Sequence, residues 1–191
     1  MLQRTAQKEY RAAQSIFSPG LLSSESRKNN LPGQRVVLII EDNPADVRLM
    51  HEAFRDVHPP VAIHVATDGD EALQFMRREG RYSDAPRPSL IFLDFNLPKS
   101  NSREILRKLK ENAEFRPIPI AVLTTSESER DVRDAYALFA NCYPRKPVDL
   151  DSFLGTIQAA AHFWLDIAYL PPGEPHQSEL PRVGLNNGGL L

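Results

Sequence analysis

The sequence has little cysteine, no long apolar run and almost no excess charge. Cys142 is its single cysteine, which excludes an intramolecular disulfide and is typical of a small buried thiol in a cytoplasmic protein. Apolar stretches such as residues 36–40 are far shorter than the roughly 20 residues that cross a bilayer. The formal net charge of −2 provides no general attraction to nucleic acid or to an anionic membrane. We therefore expect a cytoplasmic protein with neither of these as a partner.

Proline, glycine and polar residues are concentrated towards the two ends of the chain. Residues 1–34 are polar, and residues 171–191 are crowded with proline and glycine. Such compositions bury too little apolar surface to become ordered alone. The sequence predicts a flexible N-terminal extension (1–34), a folded domain (35–170) and a flexible C-terminal tail (171–191). The mildly basic residues 1–34 are alternatively a docking arm that orders on binding, and the segment after residue 170 is too short for a DNA-binding output domain.

Short apolar runs alternate with helical patterns inside the folded domain. The predicted strands are 36–40, 61–66, 90–93, 118–123 and 141–144, and the predicted helices are 44–57, 68–79, 102–112, 127–139 and 149–168. This alternation predicts an α/β protein with a doubly wound, five-stranded parallel sheet covered on both faces. The loops at the carboxyl ends of the strands are the expected position of a functional site.

Reactive residue types follow four of the five predicted strands. Glu41 and Asp42 follow the first strand, and Asp94, Thr124 and Lys146 follow the third, fourth and fifth. Three carboxylates in one cleft repel one another, and such oxygen ligands suit a hard divalent cation such as Mg²⁺. The chemistry that fits is phosphoryl transfer to a carboxylate, with Asp94 as the nucleophile. Lys146 and Thr124 would then bind oxygens of the phosphoryl group.

Other classes of protein explain this pattern less well. An aspartate-nucleophile phosphohydrolase on a similar sheet needs a second aspartate two residues after the nucleophile, where this chain has Asn96. A nucleotide-binding protein would need a glycine-rich phosphate loop, which the sequence lacks. A binding module without phosphorylation would not need the complete set of carboxylates, hydroxyl and lysine.

Five segments resemble the receiver domain of bacterial response regulators. They are Val37–Asn43 (VLIIEDN), Asp68–Leu73 (DGDEAL), Leu93–Pro98 (LDFNLP), Val122–Ser126 (VLTTS) and Tyr143–Pro147 (YPRKP). The resemblance implies a flavodoxin-like (βα)5 receiver with strand order 2-1-3-4-5. It implies a single-domain response regulator of a two-component phosphorelay, phosphorylated by a sensor histidine kinase, whose only catalysis is its own phosphoryl transfer and dephosphorylation.

The resemblance also assigns roles to individual residues. Asp94 is implied to be the phosphoacceptor and, together with Asp42, to bind Mg²⁺ through its carboxylate. Glu41 would act nearby or through water, and the backbone carbonyl of Asn96 would be a further metal ligand. Thr124 and Tyr143 take the positions of the switch residues, with Thr124 preferred over Thr125. Where the family has Asp-Gly, this chain has Ser100-Asn101-Ser102, and we expect Asn101 to be left-handed and Ser102 to cap the helix.

A more specific resemblance is to the stand-alone regulators that partner phytochrome-type kinases. It rests on the residues at 96–99 (NLPK), 141–143 (NCY), 163–165 (FWL) and 170–171 (LP). The last predicted helix also has more apolar residues than one buried face requires. Phe163, Trp164, Ile167 and Leu170 either cover their own subunit or form a homodimer interface, which we predict.

Overall fold

The structure, a computed structural model, describes residues 35–171 apart from residues 56, 58 and 99. The predicted extension 1–34 and all but the first residue of the predicted tail 171–191 lie outside the described residues. No helix in the described part of the chain is long and apolar enough to span a membrane.

The described residues form alternating strands and helices. The strands are β1 (Val36–Ile40), β2 (Ala62–Ala66), β3 (Leu90–Asp94) and β4 (Ile120–Leu123). The helices are α1 (Pro44–Ala53), α2 (Gly69–Arg77), α3 (Ser102–Glu111), α4 (Glu129–Ala137) and α5 (Leu150–His162). A 3₁₀ turn (Gly80–Tyr82) follows α2, and a π-helical turn (Phe163–Ile167) follows α5. The predicted doubly wound α/β fold is confirmed.

All four strands are parallel and lie in the order β2-β1-β3-β4. At the carboxyl edge, Ile40 is opposite Ala66 on one side and Leu93 on the other. Asp94 is opposite Leu123 of β4. The residues that follow β1, β3 and β4 therefore emerge next to one another, as the sequence pattern requires.

The segment predicted as the fifth strand lies beside β4 but forms only two isolated bridges, Ala121 with Cys142 and Thr124 with Arg145. The Val122 amide donates to the Cys142 carbonyl at 3.0 Å, and the Lys146 amide donates to the Thr124 carbonyl at 2.7 Å. Pro144 has no amide hydrogen, which explains the interruption of the ladder between these bonds. The segment still occupies the fifth place and directs Lys146 towards the carboxyl edge.

Alternate residues of the strands enter two separate cores. Leu38, Ile40, Ile91 and Leu93 contact one core, which includes residues of α2, α3 and α4. The intervening residues, Val37, Ile39, Leu90 and Phe92, contact the other core, which includes residues of α1 and α5. This two-sided burial explains why β1 and β3 are continuous apolar runs rather than alternating ones.

Side-chain caps fix the starts of the helices next to the carboxyl edge. The Asn43 side-chain oxygen accepts from the Ala45 amide at 3.0 Å at the start of α1. Asn101 does the same for α3, accepting from the Arg103 and Glu104 amides at 3.1 and 3.3 Å. Our expectation for this loop was wrong, because Asn101, with φ −79°, is the cap and is not left-handed. Ser102 is instead the first helical residue and is buried.

The last helix is less regular than the single helix predicted over 149–168. The α-helical pattern ends at His162, and the Ala168 amide donates to the Phe163 carbonyl, five residues earlier, at 2.8 Å. Arg35 stabilises this turn by donating to the Leu165 carbonyl at 2.9 Å and by an ion pair with Asp166. The turn changes the direction in which the side chains of 163–167 point.

Candidate functional site

The predicted site residues converge at the carboxyl edge of the sheet. Glu41, Asp94 and Thr124 are buried, at 1%, 7% and 0% exposure, and the Lys146 side chain is 6% exposed. Asp42 is more accessible. Burial of this many ionisable groups in one place is unfavourable unless they are paired, so their mutual contacts determine what the site can do.

Lys146 is the centre of the charge network. Its Nζ donates to Glu41 Oε2 at 2.5 Å, to Asp94 Oδ2 at 2.9 Å and to Asp46 Oδ2 at 2.9 Å. An ammonium has three N–H donors, so all of them are engaged. The contacts with Glu41 and Asp94 agree with the sequence-based site, whereas the contact with Asp46 was not predicted.

Three carboxylates form a cluster that could hold a cation. One oxygen each from Glu41, Asp42 and Asp94 lies within 4.8 Å of the others. Oxygen donors at this spacing fit a hard divalent cation, which commonly retains several waters and uses one or two carboxylates. Glu41 also accepts from the Asn43 amide at 3.0 Å, which fixes the orientation of its carboxylate.

The electrostatics of the cluster show an excess of negative charge. Burial raises the pKa of Glu41 to about 7, and the charge of Asp94 adds to this rise against the opposing effect of Lys146. Burial alone would lower the pKa of Lys146, but Asp94 and Glu41 outweigh it and the pKa of Lys146 is raised. The ammonium therefore stays charged at neutral pH, while Glu41 is close to its titration point.

Asn96 and Thr124 lie near Asp94, and Asn96 contacts the carboxylate oxygen that Lys146 does not. The backbone N–H of Asn96 donates to Asp94 Oδ1 at 2.9 Å. The side-chain nitrogen of Asn96 is 3.3 Å from the hydroxyls of both Thr124 and Thr125. The Thr124 hydroxyl also accepts from the Ser126 amide at 2.9 Å. Each oxygen of Asp94 thus has a separate partner, Lys146 for Oδ2 and the Asn96 amide for Oδ1.

The predicted switch residue Tyr143 packs behind the site. Its ring contacts Phe95, the residue after Asp94, edge to face with centroids 6.0 Å apart. Its hydroxyl is buried, and burial raises the pKa of Tyr143 against the opposing effect of the neighbouring Thr124 side chain. The ring therefore touches the side chain of the residue that follows Asp94.

Two groups in or near the site were not predicted from the sequence. Asp46 reaches Lys146 from the first turn of α1. Arg103 of α3 lies over the Phe95 ring, 4.6 Å from its centroid, and forms ion pairs with Asp131 and Asp134 of α4. An acid in a first helical turn and an arginine on a helix are both common, so neither gave a signal in the sequence alone.

Fold and site together define a doubly wound α/β protein with an aspartate, an acidic cluster and a lysine at the carboxyl edge of the sheet. The family model described as the response regulator receiver domain matches residues 37–158. Response regulator Rcp1 of Synechocystis sp. is 39% identical over 146 residues, covering 76% of this chain and 98% of that protein.

Two solved structures extend the comparison. One is described as the phosphorylated cyanobacterial phytochrome response regulator RcpA, with a TM-score of 0.71, 38% identity, and coverage of 73% of this chain and 100% of that one. The other is described as the Mn²⁺-bound form of Rcp1, with a TM-score of 0.69, 39% identity, and coverage of 72% of this chain and 99% of that one. The chain belongs to the response regulator receiver domain family.

Proposed function

We propose that Asp94 accepts a phosphoryl group from a phosphohistidine of a sensor histidine kinase. The observation that carries this proposal is the pairing of the buried Asp94 carboxylate with Lys146 at 2.9 Å, beside Glu41 and Asp42. An oxygen of Asp94 forms the new bond to phosphorus while the bond from phosphorus to the histidine nitrogen breaks. Lys146 and the Thr124 hydroxyl stabilise the phosphoryl oxygens, and the histidine returns to its neutral form by taking up a proton.

We infer that the cation is Mg²⁺. Asp42, Asp94 and the backbone carbonyl of Asn96 would hold it, with Glu41 nearby or acting through water. The spacing of the three carboxylates supports this assignment, and the Rcp1 structure described as Mn²⁺-bound shows that a relative holds a divalent ion. When bound, the ion supplies positive charge to the transferring oxygens.

The consequence of phosphorylation would be a change in surface, with Thr124 and Tyr143 as the switch. Thr124 would leave its contact with the Ser126 amide to bind the phosphoryl group, and Tyr143, which already contacts Phe95, would repack further inward. The phosphoryl group carries about 1.5 to 2 negative charges at neutral pH in place of the single charge of the Asp94 carboxylate, and this net increase gives the switch its driving force. The chain would act as a signalling protein whose only catalysis is gain and loss of its own phosphoryl group.

We propose a phytochrome-type kinase as the donor. The support is the likeness to RcpA, which is described as a phytochrome response regulator, and to Rcp1. The receiver would span 35–170, within a chain that operates in the cytoplasm through protein partners rather than nucleic acid or a membrane. The net charge of −2 supports that choice of partner.

We propose a homodimer through the π-helical turn that follows α5 and the residues after it. Phe163 and Ile167 are 48% and 62% exposed, as an interface in the free subunit would be. Trp164 and Leu170 are only half-buried, and Trp164 packs on its own subunit, where its Nε1 lies 3.5 Å from Cys142 Sγ. Tyr169, which we did not predict, is fully exposed beside them. Sedimentation equilibrium should show a dimer that Phe163→Ser with Ile167→Ser converts to a monomer, and a monomeric wild type would contradict this proposal.

The phosphorylation proposal is tested by phosphotransfer from a panel of histidine kinases that includes phytochrome-type ones. Wild type should gain label that is labile in acid and in alkali, as an acyl phosphate is, in the presence of Mg²⁺, and Asp94→Asn should gain none. Asp84→Asn makes the same change at an exposed aspartate and should label like wild type. Equal labelling of Asp94→Asn and wild type would refute the assignment of Asp94.

A further inference from the structure

Asp46 is an acid of the site for which the proposed chemistry has no role. Its Oδ2 lies 2.9 Å from Lys146 Nζ, the same distance as Oδ2 of Asp94. Its side chain is 26% exposed, so the contact is sheltered but not deeply buried. It joins two residues that are 100 positions apart in the sequence.

The simplest alternative is that Asp46 only stabilises its own helix. It lies in the first turn of α1, where a negative charge interacts favourably with the helix dipole. That role needs no partner, and an exposed carboxylate would satisfy it. Asp46 instead accepts one of the three donors of a buried ammonium, and Glu41 and Asp94 accept the other two.

The three acceptors of Lys146 differ in what else they must do. Oxygens of Glu41 and Asp94 belong to the acidic cluster that could hold a cation, and Asp94 is also the reacting group. Asp46 is not part of that cluster. Cation binding and phosphoryl transfer therefore make demands on Glu41 and Asp94 but not on Asp46. Of the three acceptors of Lys146, Asp46 can serve the lysine alone.

We propose that Asp46 is a positioning residue that holds the Lys146 ammonium beside Asp94 while the other two carboxylates are occupied. This inference rests on the proposed function, because Lys146 must be in place to meet the incoming phosphoryl oxygen. Asp46 acts through Lys146 and does not touch the phosphoryl group. A shift of the ammonium towards solvent is the expected consequence of removing it.

The first test is the rate of phosphoryl incorporation from acetyl phosphate with Mg²⁺, followed by intact-protein mass spectrometry. Asp46→Asn should slow incorporation by about tenfold or more, the usual effect of losing an outer support of a reacting group. Asp46→Glu keeps the charge and should recover part of the rate. Asp151→Asn changes an exposed acid in the first turn of α5 and should behave as wild type.

A double-mutant cycle with Lys146→Met separates positioning from a general effect of charge. In the Lys146→Met background, Asp46→Asn should alter the rate by no more than about twofold, since the group through which it acts is gone. An equal loss in both backgrounds would overturn the proposal. So would a wild-type rate for Asp46→Asn.

A second readout needs neither cation nor phosphoryl donor. The Lys146 ammonium protons are buried and bonded, so ¹⁵N NMR of the metal-free protein should detect their slow exchange with water. Asp46→Asn should accelerate this exchange, and an unchanged Lys146 signal would overturn the proposal. These results differ from those expected if the proposed function itself failed. In that case Asp94→Asn would gain as much label as wild type.

Discussion

Replacing Glu41 by Gln should change how the stability of the protein depends on pH. Burial raises the pKa of Glu41 from 4.5 to about 7. Between these values the folded protein holds a proton on Glu41, whereas the unfolded chain has lost it. The stability that this group contributes is therefore fully present below about pH 4.5 and is lost as the pH rises through 7. A glutamine cannot titrate and removes this loss.

The size of the effect follows from the shift. A change from 4.5 to about 7 corresponds, at about 1.36 kcal/mol per pH unit, to about 3 kcal/mol of unfolding free energy. Glu41 is 1% exposed, so solvent screening reduces this little. A bound divalent cation favours the ionised carboxylate and should offset much of the loss. At ten times its dissociation constant, Mg²⁺ should stabilise wild type by about 1.4 kcal/mol, and by less at pH 6, where the proton competes.

Urea unfolding at pH 5 and pH 8 in the presence of a chelator measures the effect. The quantity to compare is the difference in unfolding free energy between wild type and Glu41→Gln at each pH. Burial also lowers the pKa of His51 and His64, but both histidines are present in both proteins, so their effect cancels in this difference. Glu79→Gln changes an exposed acid and should follow wild type. If wild type and Glu41→Gln lost or gained stability in parallel between these pH values, the electrostatic account of the cluster would be wrong.

Three further substitutions test the packing around the site. Gly69→Ala would place Cβ 2.5 Å from Cδ1 of Ile105 and should destabilise the protein by about 1–3 kcal/mol in urea unfolding. Gly155→Ala, which meets no atom within 4 Å on the exposed side of α5, should instead stabilise by up to about 1 kcal/mol. Lys110→Met removes the donor to the buried Ile118 carbonyl and to the partly buried Arg116 carbonyl and should cost about 2 kcal/mol, with phosphoryl incorporation unchanged. The opposite sign for either glycine, or a stable Lys110→Met, would contradict this packing.

Much of the fold could be predicted because short apolar runs mark the strands in the sequence. Each predicted strand from the first to the fourth is a mainly apolar run, and the structure keeps every one to within two residues at either end. The fifth strand and the end of the last helix were less predictable, because their form depends on backbone hydrogen bonds that the apolar pattern does not show. Pro144 interrupts the fifth strand, and the turn over 163–167 depends on Arg35, which is distant in sequence.

The site residues that could be predicted are those whose position at the end of a strand determines where they lie in the fold. Glu41 and Thr124 directly follow β1 and β4, and Asp94 is the last residue of β3, so a parallel sheet must bring them to one edge. Asp46 was not predictable, because its role depends on how far a lysine from another part of the chain reaches. Asn101 and Ser102 are both capping types, and only the backbone angles distinguish which of them caps α3.

Two buried lysines show why the partners, rather than burial, identify a functional group. Lys110 is 5% exposed and donates to the Ile118 carbonyl at 2.7 Å and the Asn141 side-chain oxygen at 2.8 Å, and its burial lowers its pKa to about 8. Lys146 is as deeply buried, but its partners are carboxylates and its pKa is raised. Lys110 joins the amino ends of β4 and the segment beside it, where neutral acceptors make it a structural clamp. At the opposite edge of the sheet, Lys146 faces more than one carboxylate, which is the charge arrangement that supports the proposed binding of a cation and a phosphoryl group there.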